Sequence, residues 1–164
     1  MQPIVLFGIQ FSVSLVAYAL FAGWYVAPRL SRLPREVALV PLLWVHVFRI
    51  AGGTILAPGS VDAGVPDTFR TLVAYGDMAT AFLALAALIA LRARLSGAIG
   101  MVWLFLGFAT LDTLNAIVQS MRYSVFGYAL GLNWAIVTSY VPALLVSSAL
   151  ILIQLLRPRE ARKI

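Results

Sequence analysis

Five long runs of almost uninterrupted apolar residues decide what this chain can become. A helix that crosses the hydrocarbon core of a bilayer needs about 20 such residues. The runs fall at about 4–27, 37–57, 69–91, 97–121 and 129–156. Stretches such as Phe82 to Leu91 (FLALAALIAL) are apolar on every side, unlike the alternating strands of a membrane barrel. With only 164 residues, little is left beyond short loops and tails. The expected fold is all-α: a polytopic membrane protein built as a single five-helix transmembrane bundle, with residues 1–164 as one domain. A hydrophobic share of 62% and a mean hydropathy of +0.97 agree with that class.

The charges are sorted between the loops. Arg29, Arg32 and Arg35 fill the first loop, Arg92 and Arg94 the third, and Arg157, Arg159, Arg162 and Lys163 follow the last run. Nothing basic precedes the first run, and the second loop holds Asp62 and Asp67 beside a single Arg70. This alternation follows the positive-inside rule and predicts an outside N-terminus and a cytoplasmic C-terminus, with Arg122 alone against the trend. The formal charge of +6 is thereby accounted for by topology, so no nucleic-acid partner is expected. Membrane lipids are the expected surroundings, and the basic tail reads as an anchor at headgroup level. The first run has no basic leader and is long for a signal peptide, so a retained helix is expected. Short loops and compact size point to a bacterial inner (plasma) membrane.

Several chemistries are excluded by composition. The absence of cysteine removes disulfides, thiolate metal sites and thiol redox chemistry. The sole lysine is Lys163, in the tail, so no retinal-type Schiff base can form within the bundle. The sole histidine is His46, so one chain cannot hold a haem between two histidines; only a homo-oligomer could. No phosphate loop, nucleophile elbow or metal-ligand spacing occurs. No cofactor and no metal are assigned.

What remains is a layer of ionisable side chains inside the apolar runs: His46, Arg49, Asp77 and Asp112. A charge near the bilayer centre costs several kcal/mol unless paired or hydrated. With a rise of about 1.5 Å per residue, all four fall within about 5 Å of one depth, slightly outward of the middle. His46 and Arg49 are three apart, hence on nearly one helix face, and Gly53 continues their stripe. Asp112, Asn115 and Gln119 form a second stripe climbing outward. Tyr75, Gln10 and Asn133 add polarity at similar depth. The opposite half of each run is nearly devoid of polar residues. A pocket open toward the outside or the outer leaflet, with an apolar cytoplasmic floor, is the expectation.

Two aspartates face one arginine. The expected arrangement fixes one carboxylate on Arg49 and leaves the other available to a proton, a cation or a ligand. A structural reading stands beside it, in which the ion pairs hold three helices in register. Pro142, within the fifth run, should kink that helix near Thr138, Ser139 and Tyr140.

The leading functional expectation is a binding protein, serving as sensor, carrier or accessory subunit. Its ligand would be small, cationic or amphipathic, even lipid-like, and held by His46, Arg49, Tyr75, Asp77, Asp112, Asn115 and Tyr140. Trp44, Tyr75, Trp134 and Tyr140 would supply aromatic walls. A second expectation is an enzyme in which His46 with Asp77 or Asp112 performs acid–base catalysis, such as an isomerisation, on a lipid-soluble substrate. A third is a proton-coupled transporter of small solutes, disfavoured by the apolar inner half. In helix count and outward pocket the chain resembles small five-helix lipid- or sterol-handling proteins such as the translocator proteins. The resemblance is architectural; their tryptophan-proline patterning is missing, and no residue roles carry over.

Overall fold

The computed structural model describes residues 2–158. Five helices dominate: α1 (Pro3–Leu30), α2 (Arg35–Leu56), α3 (Asp67–Arg92), α4 (Ala98–Arg122) and α5 (Leu132–Leu156). Each is long and apolar enough to span a membrane, and their bounds lie within three residues of the sequence expectation. The helices α2, α3, α4 and α5 form the bundle proper. The centre of the bundle is α3, packed on α2 and α4, while α5 packs on α2. Helix α1 lies outside against α5. It is predominantly apolar and buries only Ala22 and Leu30.

The loops define two ends. Arg29, Arg32, Arg35, Arg92, Arg94 and Arg157 mark a basic end; Arg159, Arg162 and Lys163 lie outside the described residues. The opposite end carries the start of α1, the α2–α3 loop and the α4–α5 loop. The basic half is filled by one dry core, in which Leu39, Leu42 and Leu43 of α2 meet Ala84, Ala87 and Leu88 of α3. Val102 and Phe105 of α4 and Ile151 of α5 complete it. Alanines at the contact face of α3 let the backbones approach. A second, smaller core of Ile55, Val65, Phe69, Ala74, Val125 and Leu130 closes the N-terminal end.

Three segments depart from regular α-helix. The first apolar run ends just before Pro28, yet the helix continues through that proline to Leu30. A π-helical turn over Ala22–Val26 precedes this proline, with the Ala27 N–H donating to the Ala22 carbonyl. In α5 the same device recurs. A π-helical turn over Ile136–Tyr140 precedes Pro142, with the Val141 N–H donating to the Ile136 carbonyl. A proline lacks its own N–H and crowds the carbonyl four residues back. Widening the preceding turn gives that carbonyl room, so both helices continue instead of breaking.

The third departure is a nine-residue 3-10 segment, Phe48–Leu56, which completes α2. Such runs rarely exceed four residues. Gly52-Gly53 and the β-branched Ile50, Thr54 and Ile55 weaken the α preference here. With three residues per turn, every third residue shares a face. Arg49, Gly52 and Ile55 are the buried residues of the segment and form that line.

Candidate functional site

Arg49 is the hub of the site. Its Nε–H donates to Asp77 Oδ1 at 2.5 Å, and its Nη2 donates to Asp112 Oδ2 at 2.6 Å. Its Nη1 donates to the Thr113 hydroxyl at 3.1 Å. The rigid planar fork of arginine suits this threefold contact, which a lysine ammonium would not reproduce. Thr113 in turn donates to the Ala109 carbonyl at 2.8 Å, which leaves its oxygen lone pair for Arg49. Thr80 donates to the Gly76 carbonyl at 2.8 Å, and its hydroxyl lies 3.4 Å from Asp112 Oδ2. The ionic layer joins α2, α3 and α4 at one depth. Asp77 lies ten residues from the start of α3 and Asp112 ten residues from the end of α4, so each is about 15 Å of helix from the end of the bundle opposite the basic loops.

The expectation of one bound and one free aspartate is therefore corrected: both carboxylates hold Arg49. The donor fork reaches two acceptors on different helices, and each aspartate keeps a second oxygen. With both ionised, the triad carries a formal charge of −1. Two glycines make the arrangement fit. A Cβ on Gly52 would stand 1.7 Å from Asp77 Oδ2, and one on Gly76 would stand 1.9 Å from Asp112 Oδ1. Each carboxylate thus lies directly on the backbone of the neighbouring helix. Gly53, expected above the guanidinium, instead faces Met78. The expectation assumed α-helical phase, whereas the 3-10 segment turns Gly52 into line with Arg49.

Above the triad is a cavity of about 290 Å³. Its floor is Arg49, Asp77, Asp112 and Thr113. Phe7 and Phe11 of α1, Phe69 and Val73 of α3, Ile117 of α4 and Val137 of α5 are among its walls. Asn133 and Ser120 are its other polar lining residues. The polar floor corrects the expected apolar one: the dry core lies beneath the ionic layer, not in contact with the cavity.

The remaining expected residues do not line this cavity. His46 is fully buried beneath the layer, with its Nε2 3.5 Å from the Ser148 hydroxyl. Its ring meets the Phe105 ring edge-on at 5.0 Å, and Nδ1 has no partner. No hydrogen bond joins His46 to either aspartate. Tyr75 is 61% exposed on the outer surface of α3. Asn115 is also exposed and accepts from Gln119 at 3.5 Å. The helical phase puts Asp112, Thr113, Ala116, Ile117 and Ser120 on the cavity face, so Asn115 and Gln119 of the expected stripe turn away. Tyr140 donates to the Val45 carbonyl and ties the π-turn of α5 to α2. Nor do Trp44 and Trp134 form walls. Trp44 is surface-exposed, and Trp134 donates to Gln10 at 2.7 Å beside Phe7. Phenylalanines take that place.

Gly52, Gly76, Thr80 and Thr113 were not legible as site residues. The adjacency of Gly76 to Asp77 and of Asp112 to Thr113 was the available signal, and it does not by itself reveal which helix each side chain meets.

Five apolar helices around a buried ionic layer define the class: an all-α protein with the architecture of a multi-pass membrane protein. Within that class the chain belongs to the family described as Domain of unknown function (DUF8737), which matches residues 6–156. No curated protein and no solved structure matches the chain.

Proposed function

We propose that this protein binds a small amphipathic molecule in the cavity above Arg49, Asp77 and Asp112, as a sensor, carrier or accessory subunit. The observation that carries this reading is the cavity's division of labour. Apolar side chains make nearly all of its wall, and charged groups gather at one end. Ligand sites combine an apolar wall with a few convergent polar groups. The volume holds roughly ten water-sized groups, so the occupant is a small molecule or one end of a longer one.

The whole chain acts as one unit in this proposal. The basic loops face the cytoplasm, as the positive-inside rule directs, which puts the cavity in the outer half of the membrane. Catalysis by His46 with an aspartate loses its support, because His46 lies beneath the ionic layer and bonds neither carboxylate. Proton-coupled transport would need a polar route through the basic half, where Leu39, Leu43, Val102, Phe105 and Ile151 are packed without exposure.

Native mass spectrometry of gently solubilised protein tests the reading. The wild type should carry a small co-purifying mass that is lost in Ala116→Phe, which fills the cavity without replacing a member of the triad. Wild type free of any adduct, and unchanged in melting temperature across a panel of alkylamines, alkanols and fatty acids, would refute it.

A further inference from the structure

The ends of the cavity differ in a way that limits what can occupy it and how it arrives. Toward the aqueous side the cavity is roofed. The α2–α3 and α4–α5 loops are stitched together there. The Asp62 N–H donates to the Ala129 carbonyl at 2.8 Å, and Asn133 Nδ2 donates to the Ser60 carbonyl at 3.3 Å. Gly131, with φ of +52°, lies so close that a Cβ would stand 2.7 Å from the Ser60 carbonyl oxygen. Beneath these bonds Ile55, Phe69, Val125 and Leu130 all line the cavity and are at most 5% exposed. The residues lining the flank are different. Ile117 is 41% exposed and Met121 is 72% exposed, and both line the same cavity. Across from them Phe7 and Phe11 of α1 are half-buried. Phe7 leans on Phe126, with ring centroids 4.1 Å apart. The mouth is thus on the apolar side of the bundle, not at its end.

Cavity polarity also runs opposite to that of a leaflet. A phospholipid holds its charge at the surface and its tail at the centre. Here the charged groups lie about 15 Å down the helices, and the apolar wall extends upward to the roof. A phospholipid cannot match both.

Resting on the binding role proposed above, we infer that the ligand is a membrane-dissolved lipophilic amine, not a lipid or a water-borne cation. It enters sideways between Phe7 and Phe11 of α1 and Ile117 and Met121 of α4. Its nitrogen settles on the carboxylates of Asp77 and Asp112, which with both ionised carry one more negative charge than Arg49 balances. Its apolar body fills the space up to Phe69 and Phe126. A cation meeting a desolvated carboxylate gains more than it would in water. The single net negative charge of the triad makes a monovalent head the complement.

The chain contains no cysteine, so a single thiol introduced at the mouth reports on it cleanly. The experiment uses full-length protein in lipid nanodiscs, as wild type, Asp112→Asn and Ile117→Cys, with octylamine and octanoic acid as probes. Octylamine should raise the melting temperature of the wild type, octanoic acid should not, and Asp112→Asn should weaken the octylamine response by about tenfold in midpoint concentration. The thiol of Ile117→Cys should react faster with a membrane-soluble maleimide than with a charged one, and octylamine should protect it. Faster reaction with the charged reagent would overturn the lateral route while leaving the binding role standing. A response to octanoic acid and none to octylamine would overturn the amine class, again with the binding role intact. No response to either probe, together with a wild type that carries no co-purifying mass, would bring down the binding role itself.

Discussion

At the residue scale the site depends on what is missing as much as on what is charged. Asp77 and Asp112 reach Arg49 only because Gly52 and Gly76 present bare backbone beneath them. Gly52→Ala and Gly76→Ala should each destabilise the protein by about 1–3 kcal/mol, the usual cost of overpacking. The cause is specific, so the cost should depend on the carboxylate. In an Asp112→Ala background the Gly76→Ala penalty should largely vanish, and in Asp77→Ala the Gly52→Ala penalty should fall but not disappear, because the Cβ of residue 77 still stands 2.9 Å away. Gly100→Ala and Gly107→Ala serve as controls, since a Cβ there meets nothing within 4 Å. Thermal unfolding in detergent measures all of these. Additive penalties would mean that the carboxylates do not rest on the glycines. The charged residues were readable from sequence because a charge inside an apolar run is conspicuous. Their supports were not, because a glycine among the 12 in this chain carries no mark of the side chain lying over it.

At the scale of elements, helix existence and extent were legible, because five apolar runs separated by charged loops leave few alternatives. Irregularity within the helices was not. The 3-10 segment Phe48–Leu56 rotates Gly52 into the site and Gly53 out of it. An α-helical reading with the same residues gives the reverse. The prolines were visible, but the π-turns that accommodate them were not. Pro28 and Pro142 both lie two residues beyond a π-turn that accommodates them. In α5 that turn presents Tyr140 to the Val45 carbonyl. Removing the phenol in Tyr140→Phe should cost about 1 kcal/mol, typical of one hydrogen bond. In Pro142→Ala, where the turn is free to relax to an α-helix, the same change should cost little. Unfolding midpoints across this double-mutant cycle decide it, and equal costs in both backgrounds would separate the π-turn from the tyrosine contact.

For the whole molecule, one depth of charge divides two unequal halves. The basic half is a packed apolar core that locks α2, α3, α4 and α5 together. The other half holds the cavity, roofed by its own small core. That asymmetry was legible in outline from the distribution of polar residues along the runs. The cavity's shape was not, because it arises where α1, α4 and α5 frame a space, and no local pattern encodes that. The proposed orientation has a direct check. A thiol at the exposed loop position Ala63→Cys should be labelled in intact cells by an impermeant maleimide, and one at Ser96→Cys only after lysis. The reverse pattern would turn the cavity toward the cytoplasm.

The central claim is that the ionic layer exists to bind a ligand and not to hold the helices together. Buried charged triads replaced by apolar groups of similar size commonly leave stability unchanged or raise it by about 1–4 kcal/mol. The decisive measurement is therefore the unfolding midpoint and bound mass of the triple variant Arg49→Met/Asp77→Leu/Asp112→Leu beside the wild type. The account predicts a folded protein at least as stable as the wild type, with the co-purifying small molecule gone. A triple variant that fails to fold or melts far earlier, beside a wild type that carries no bound mass, would show that the layer is structural and contradict the account.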